Sequence, residues 1–436
     1  MRTSFAPHRL DDPDIREANG ILRTCVHCGF CTATCPTYVL TGDERDSPRG
    51  RIVLIKEMLE RDEPADATVT RHIDRCLGCL ACTSTCPSGV DYMHLVDLAR
   101  DRIERTYHRP AADRVRRWAL AHVLPYQHLF RWAMGLGRLT RPVAGWLPAG
   151  LCAMIELLPA REPVPAAEAA PATVATPVLR VALAPACVQP ALDPAIDAAC
   201  RRLLARLGVQ VVAVPGTGCC GALTHHMGRR EDARAAARRN VAAFRPWLAA
   251  GRLDAIVVTA SGCGTLLKDY GHLLADDPDF AHDARRLASL ARDVTEVLDP
   301  LMRARTPPAG DHTGLSVAYH AACSLQHGQK IAGLPEALLR CAGFEVRPIG
   351  EGHLCCGSAG TYNLLQPAFA TALRDRKARN IAATGAKALA AGNIGCLVQL
   401  RGVVGVPAVH TVELLDWAWG GPAPAAFARA VDHETV

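Results

Sequence analysis

Apolar residues recur along this chain with two different periods, and the change of period divides it. From Gly50 to Arg61 (GRIVLIKEMLER), Ile52, Ile55 and Leu59 return every three or four positions, which predicts a helix with one buried side. Tyr92 to Tyr107 reads as a second helix, so the first 110 residues are expected to be helical. Beyond residue 177 short apolar runs alternate with longer helical stretches. Val178–Pro185, Val209–Pro215, Asp254–Ala260, Leu315–Tyr319 and Phe344–Pro348 predict strands, and Asp193–Leu207 and Arg229–Ala250 predict helices between them. Such alternation predicts a parallel α/β sheet. Residues 111–158 read as helical or irregular, and Pro159–Pro177 (PAREPVPAAEAAPATVATP) is a Pro/Ala linker. The expected architecture is a multidomain α+β chain: a helical module over 1–110, a connector and linker over 111–177, and an α/β part that divides at 178–305 and 313–421.

Composition narrows the function classes. A length of 436 residues suits two or three domains, and 49% apolar residues can fill their cores. The formal charge of +6 comes from Arg scattered through helical segments rather than gathered on one face, which argues against a nucleic-acid partner. Met1–Gly20 carries four acidic residues and no apolar core, so a secretory leader is not expected. Nineteen cysteines in such a chain read as metal ligands in a reducing, cytoplasmic setting rather than as disulfides. The most apolar stretch, Pro142–Pro159, contains Pro148 and Glu156 and is barely long enough to span a bilayer. Just before it, Arg117–Arg141 mixes Trp118, Phe130 and Trp132 with Arg; a packed helix surface and a membrane- or partner-docking face both stay open.

The chemistry is concentrated in cysteine. Cys25, Cys28, Cys31 and Cys35 precede Pro36 in a C-x2-C-x2-C-x3-C-P run, and Cys76, Cys79, Cys82 and Cys86 precede Pro87 with the same spacing. This is the ligand pattern of two-cluster bacterial ferredoxins, in which the fourth cysteine of each run serves the other cluster. Cys25, Cys28, Cys31 and Cys86 are therefore expected to hold one 4Fe–4S cluster, and Cys76, Cys79, Cys82 and Cys35 the other, with structural zinc as the weaker alternative. Pro36 and Pro87 enforce the turn after the fourth cysteine, and Gly29 and Gly78 relieve crowding near the cluster. Arg49 or Arg51 in DSPRGR would raise the potential of an anionic cluster nearby, or else belongs to ordinary helix-start chemistry.

The second half repeats itself. Cys187, Cys219, Cys220 and Cys263 recur as Cys323, Cys355, Cys356 and Cys396, the first three at an offset of 136 residues and the last at 133. Each pair precedes a glycine, giving two CCG motifs at strand ends, where open α/β folds build sites. Four thiols in each repeat suit a further cluster, a zinc ion or a redox site; a site without metal stays open too. Cys152, Cys200 and Cys341 fall outside both patterns and are expected to be buried small residues. His27, His225, His226, His320 and His353 lie near motif cysteines and read as packing or hydrogen-bonding groups. There is no nucleotide or flavin fingerprint, no phosphate loop and no hydrolase nucleophile motif, and no catalytic residue is expected on this chain.

Together the motifs resemble the iron–sulfur subunits of bacterial glycolate oxidase from Ile21 to near Trp417. The resemblance is carried by ILRTCVHCGFCTATCPTY, SPRGRIVLIK, CPSGVDY, TASGCG and HLCCGSAGTY. It extends to the wider CCG-domain group, which includes a subunit of anaerobic glycerol-3-phosphate dehydrogenase and heterodisulfide reductase subunits. The resemblance implies a helical two-cluster ferredoxin domain followed by two CCG pseudo-repeats with parallel sheets. It implies FAD-containing partner subunits that oxidise glycolate to glyoxylate and pass electrons through the two clusters to a quinone or other acceptor. It also implies peripheral association with the cytoplasmic face of the inner membrane. The alternatives are the equivalent subunit for lactate, another 2-hydroxy acid or glycerol 3-phosphate, or a CCG-domain disulfide or quinone reductase. One departure matters: the heterodisulfide reductase relatives end each repeat in C-x2-C, whereas here Cys263 and Cys396 stand alone, which puts a five-thiol cluster in doubt.

Overall fold

A computed structural model describes residues 1–142, 155, 158, 176–303 and 305–431. Most of the apolar stretch Pro142–Pro159 and of the linker Pro159–Pro177 lies outside the described residues, as does Cys152. The first module is built from helices Pro13–Thr24, Pro48–Arg61, Ala67–Asp74 and Tyr92–Thr106, with the shorter pieces Phe30–Ala33, Pro36–Thr41 and Ala81–Thr85 beside the cysteines. Helix Pro48–Arg61 begins where its sequence allows. Ser47 accepts a hydrogen bond from the Gly50 N–H at 3.0 Å, and Pro48 occupies the first turn, where its missing N–H costs nothing. Ile52, Ile55 and Leu59 are buried, as their spacing predicts, against Leu22, Ile73, Leu95 and Ile103.

Helices Ala111–Val123 and Gln127–Leu139 follow. Arg109 and Arg117 tie the first of them to Asp74 at 2.7 and 2.9 Å. Their outer faces leave Trp118, Trp132, Leu136 and Leu139 exposed, Trp132 at 80%. Among the described residues no helix is long and apolar enough to cross a membrane.

The second half holds two four-stranded parallel sheets of the same design. In the first, β1 (Leu179–Leu183), β2 (Val209–Val212), β3 (Ala255–Val258) and β4 (Ala291–Asp293) are ordered β2-β1-β3-β4. In the second, β5 (Ser316–His320), β6 (Glu345–Arg347), β7 (Ala388–Ala391) and β8 (Ala408–His410) are ordered β6-β5-β7-β8. Val181 pairs with Val211 and Ala255, and Val317 takes the same place between Val346 and Ala388.

The two repeats do not close separately. Helix Thr411–Ala418, which follows β8, packs on helix Ala195–Arg206 of the first repeat, and helix Val294–Arg303, which follows β4, packs on Leu334–Cys341 of the second. Each repeat thus finishes the other. One continuous core runs from Val181 and Leu203 through Val257 to Val317, Leu389 and Leu415. Buried Asp416 joins Arg202 at 2.6 Å and also pairs with Arg206, while His410 Nε2 lies 2.9 Å from the Thr259 carbonyl oxygen.

Candidate metal centres

The two N-terminal cysteine runs adopt one backbone shape. In each, the second residue after the first cysteine and the residue after the second cysteine are left-handed: His27 and Gly29 in the first run, Gly78 and Leu80 in the second. Glycine fills one of the two strained places in each run, and not the same one. These bends curl the loop so that its thiols face inward, and a short helix then carries the third cysteine. Cys35 caps helix Pro36–Thr41, and Pro36 in its first turn directs the chain away.

Cys25, Cys28, Cys31 and Cys86 line one cavity, which Cys82 also reaches, and Arg49 stands at its rim. Cys35, Cys76, Cys79 and Cys82 line a second cavity with Arg51. Pro48, Cys82 and Tyr92 belong to both walls, so the cavities are neighbours. All eight cysteines are free thiols. Donors reach the sulfurs: the Gly78 N–H to Cys76 at 3.4 Å, the Val90 N–H to Cys86 at 3.5 Å, the Tyr92 hydroxyl to Cys76 at 3.8 Å, and Arg51 Nη1 to Cys35 at 3.8 Å. Burial pushes the Cys79 and Cys82 thiols well above their ordinary range and Cys31 up to about 11. A bound metal centre would favour their ionised form. Soft donors around two shared-wall spaces, with N–H groups aimed at sulfur, fit iron–sulfur clusters. The two cavities differ in setting. Cys28 is exposed, beside exposed Val26 and Phe30, whereas Cys35, Cys76, Cys79 and Cys82 are all buried.

The C-terminal cysteines gather at the carboxyl ends of the two sheets. Cys187, Cys219 and Cys220 sit in loops, but Cys263 and Cys396 lie in the first turns of helices Ser261–Lys268 and Ile394–Arg401. In the first repeat the thiols form a chain. Cys219 is held far below the ordinary thiol range by hydrogen bonds from Cys187 and Cys220, and Cys220 is also bonded to Cys263. Around the pair, Arg239 and Asn240 donate to the Cys219 carbonyl at 3.0 and 3.1 Å, and Tyr270 donates to the Cys220 carbonyl at 2.7 Å. In the second repeat Cys323 and Cys355 sulfurs are 3.7 Å apart, and hydrogen bonds continue from Cys355 to Cys356 and on to Cys396. The CCG glycines repeat one contact, with Gly221 N–H on Cys219 at 3.5 Å and Gly357 N–H on Cys355 at 3.4 Å.

The second repeat also abuts the N-terminal module. Cys79 and Leu77 pack with Cys323, Cys355 and Tyr362 in one buried cluster, and the Tyr362 hydroxyl donates to the Arg75 carbonyl at 3.1 Å. The first repeat meets the module through charge, with Arg230 on Asp14 at 2.8 Å and His94 on Asp269 at 3.1 Å.

Two expectations about single residues change. Cys200 is buried, but Cys341 is exposed because it ends helix Leu334–Cys341 on the outer side. His225 bonds Asp97 at 3.2 Å, as a hydrogen-bonding histidine should, whereas His320 converges with Cys356 and Cys396, their ligand atoms within 4.8 Å of one another. Arg51, Arg100 and Lys377 are buried cations beside cysteine, Arg100 donating to the Cys76 carbonyl at 2.7 Å. Lys377 carried no local sequence signal, since a single lysine in a helix reads as surface.

Residues 21–90 match the 4Fe-4S dicluster domain family, and residues 181–268 and 317–401 each match the Cysteine-rich domain family. The "Glycolate oxidase iron-sulfur subunit" of Escherichia coli (strain K12) is 40% identical over 418 residues, 96% of this chain and 99% of its own length. The "Probable glycolate oxidase iron-sulfur subunit" of Bacillus subtilis (strain 168) is 33% identical over 93% of this chain and 96% of its own length. "Lactate utilization protein A" of Bacillus licheniformis is 26% identical over 55% of this chain and 99% of its own length.

Proposed function

The chain belongs to the family of glycolate oxidase iron–sulfur subunits, and from that membership we propose how its cysteines divide their roles. It is an iron–sulfur electron-transfer subunit of an oxidoreductase. We assign Cys25, Cys28, Cys31 and Cys86 to one 4Fe–4S cluster and Cys35, Cys76, Cys79 and Cys82 to the other. The observation that carries this is the pair of neighbouring four-thiol cavities sharing Pro48, Cys82 and Tyr92. Clusters held there supply one-electron carriers, and the organic step belongs to a partner flavoprotein that uses FAD to oxidise glycolate to glyoxylate.

The residues of this chain set the conditions for that transfer. Arg49 and Arg51 place one fixed positive charge beside each cavity, and the N–H and O–H groups on sulfur favour added negative charge. Exposed Val26 and Phe30 beside Cys28 suit docking of the flavoprotein. The exposed Trp118, Trp132, Leu136 and Leu139, flanked by arginines, support peripheral seating on the cytoplasmic face of the inner membrane, where a quinone or other acceptor is within reach. The repeat cysteines, Cys187, Cys219, Cys220 and Cys263 with Cys323, Cys355, Cys356 and Cys396, form further metal, cluster or redox sites. The functional partition is 1–110 for the clusters, 111–177 for the connector, and 178–305 and 313–421 for the repeats.

The test is Cys28→Ser in the assembled complex. Glycolate should still reduce the partner's flavin, while quinone-analogue reduction falls by about 100-fold or more. Unchanged turnover would remove Cys28 from the electron path, and loss of flavin reduction would place the damage in assembly instead.

A further inference from the structure

The repeats are alike in topology and in cysteine spacing, but the residues around their thiols differ. His320 stands three positions before Cys323; three positions before Cys187 the first repeat has Ala184. The His320 side chain is 1% exposed, and neither ring nitrogen has a hydrogen-bond partner. A buried imidazole with both nitrogens unmatched is costly unless one of them serves as a ligand. It converges on Cys356 and Cys396 with all three ligand atoms inside 4.8 Å. Tetrahedral zinc, with Zn–S of about 2.3 Å and Zn–N of about 2.0 Å, separates its donors by roughly 3.5–3.8 Å, so this group has the compactness one ion requires.

Charge points the same way. Lys377 is 2% exposed and donates to the Glu351 carbonyl at 2.7 Å; burial lowers its pKa, opposed by Cys356, Cys355, Glu351 and Cys396 around it. The first repeat has no buried lysine there: its cation, Arg239, is exposed and reaches the Cys219 carbonyl at 3.0 Å, with Asn240 and Tyr270 behind the pair. Three thiolates, one imidazole and one divalent ion leave a single negative charge, which one lysine balances. Cys₃His is a tetrahedral zinc set, whereas 4Fe–4S cubanes take thiolates.

We propose that the second repeat, and not the first, holds one mononuclear zinc-class ion, ligated by the convergent His320, Cys356 and Cys396, with the thiol of Cys355, which bonds Cys356 but lies outside that group of three, turning in as the fourth donor. This deepens the assignment of the repeat cysteines as ligands and rests on it. The ion is buried beside Cys79, so it fastens the second repeat to the cluster module and carries no electrons itself.

The test is metal analysis and zinc X-ray absorption on the anaerobically purified full chain. One zinc per chain is expected, with a shell of sulfur and one nitrogen, beside iron and sulfide for two clusters. His320→Ala should lower zinc retained after brief chelation about tenfold while iron and the cluster EPR signals stay. His320→Cys should restore zinc with an all-sulfur shell, and Cys220→Ser should leave zinc unchanged. Absence of zinc, iron beyond two clusters that disappears in His320→Ala, a wild-type shell without nitrogen, or equal zinc loss in Cys220→Ser would each overturn the proposal. Zinc present in a chain without the two clusters would instead support this site and sink the electron-transfer assignment of the N-terminal cysteines.

Discussion

Arg51→Met should lower the midpoint potential of one cluster and leave the other nearly unmoved. Arg51 is 1% exposed and lies in the wall of the Cys35, Cys76, Cys79 and Cys82 cavity. Its Nε donates to the His72 carbonyl at 2.7 Å, its Nη2 to the Thr37 hydroxyl at 2.9 Å, and its Nη1 lies 3.8 Å from the Cys35 sulfur. With an effective dielectric of about 20, a unit charge at that distance would stabilise an electron localised on the sulfur by about 4 kcal/mol. Spread over a whole cluster the electron feels roughly a quarter to a half of this, about 1–2 kcal/mol, or about 40–80 mV for a one-electron couple. Asp46 does not cancel the effect, because it keeps Arg75 at 2.9 Å and His72 at 2.8 Å when Arg51 is gone. The assay is an EPR-monitored redox titration of iron-replete protein. Arg51→Lys retains the charge and should move the potential by less than half as much. The reasoning fails if Arg51→Met, fully loaded with iron, leaves both midpoints in place or raises one.

Three further outcomes follow from the geometry. A methyl group added at Gly357, where φ is +89°, would meet the Ala370 carbonyl oxygen at 2.5 Å, whereas at Gly221 the nearest atom is at 3.1 Å; Gly357→Ala should cost about 3 kcal/mol and Gly221→Ala about 1–2 kcal/mol in denaturant unfolding. His94 opposes its own burial through hydrogen bonds to Asp269 and Asp91, with Glu17 and His272 also facing it, and its pKa is raised to about 10. Its contribution to stability is therefore complete below about pH 6.5 and lost as pH rises towards 10, a few kcal/mol in size; His94→Asn should flatten the alkaline fall in melting temperature, and an unchanged slope would dismiss this ion cluster as the cause. Asp416→Ala removes the shared partner of Arg202 and Arg206 and should destabilise the two repeats together by about 2 kcal/mol, seen as one cooperative urea transition at lower midpoint rather than two separate ones.

The cysteine runs were legible because cluster ligation imposes close spacing within a single loop, and the repeat was legible because duplication preserves distances along the chain. Strands β1, β2, β3, β5 and β6 announced themselves through valine-, isoleucine- or phenylalanine-containing runs. Strands β4 (ARD), β7 (ALAA) and β8 (AVH) did not, since alanine favours helix and three or four residues hold no period; pairing of β4 with β3, β7 with β5 and β8 with β7 decides their conformation. The packing of helix Thr411–Ala418 on helix Ala195–Arg206 and the meeting of Cys79 with Cys323 and Cys355 join residues far apart in the chain, for which one sequence carries no local mark. His320 was visible as a residue but not as a candidate ligand, because its meaning lies in the solitary burial of its ring.

The reciprocal closure of the repeats also bears on how the chain is made. Helix Ala195–Arg206 leaves the ribosome 214 residues before the Asp416 that clasps Arg202. At about 5–20 residues per second, this helix spends roughly 10–40 s with its partner not yet synthesised. The part of this helix that meets Thr411–Ala418 lacks that cover during that time. The first repeat therefore completes its packing only when translation is nearly finished. A chain cut short anywhere before Thr411 would leave that apolar face bare, which makes completion of the polypeptide its own quality checkpoint.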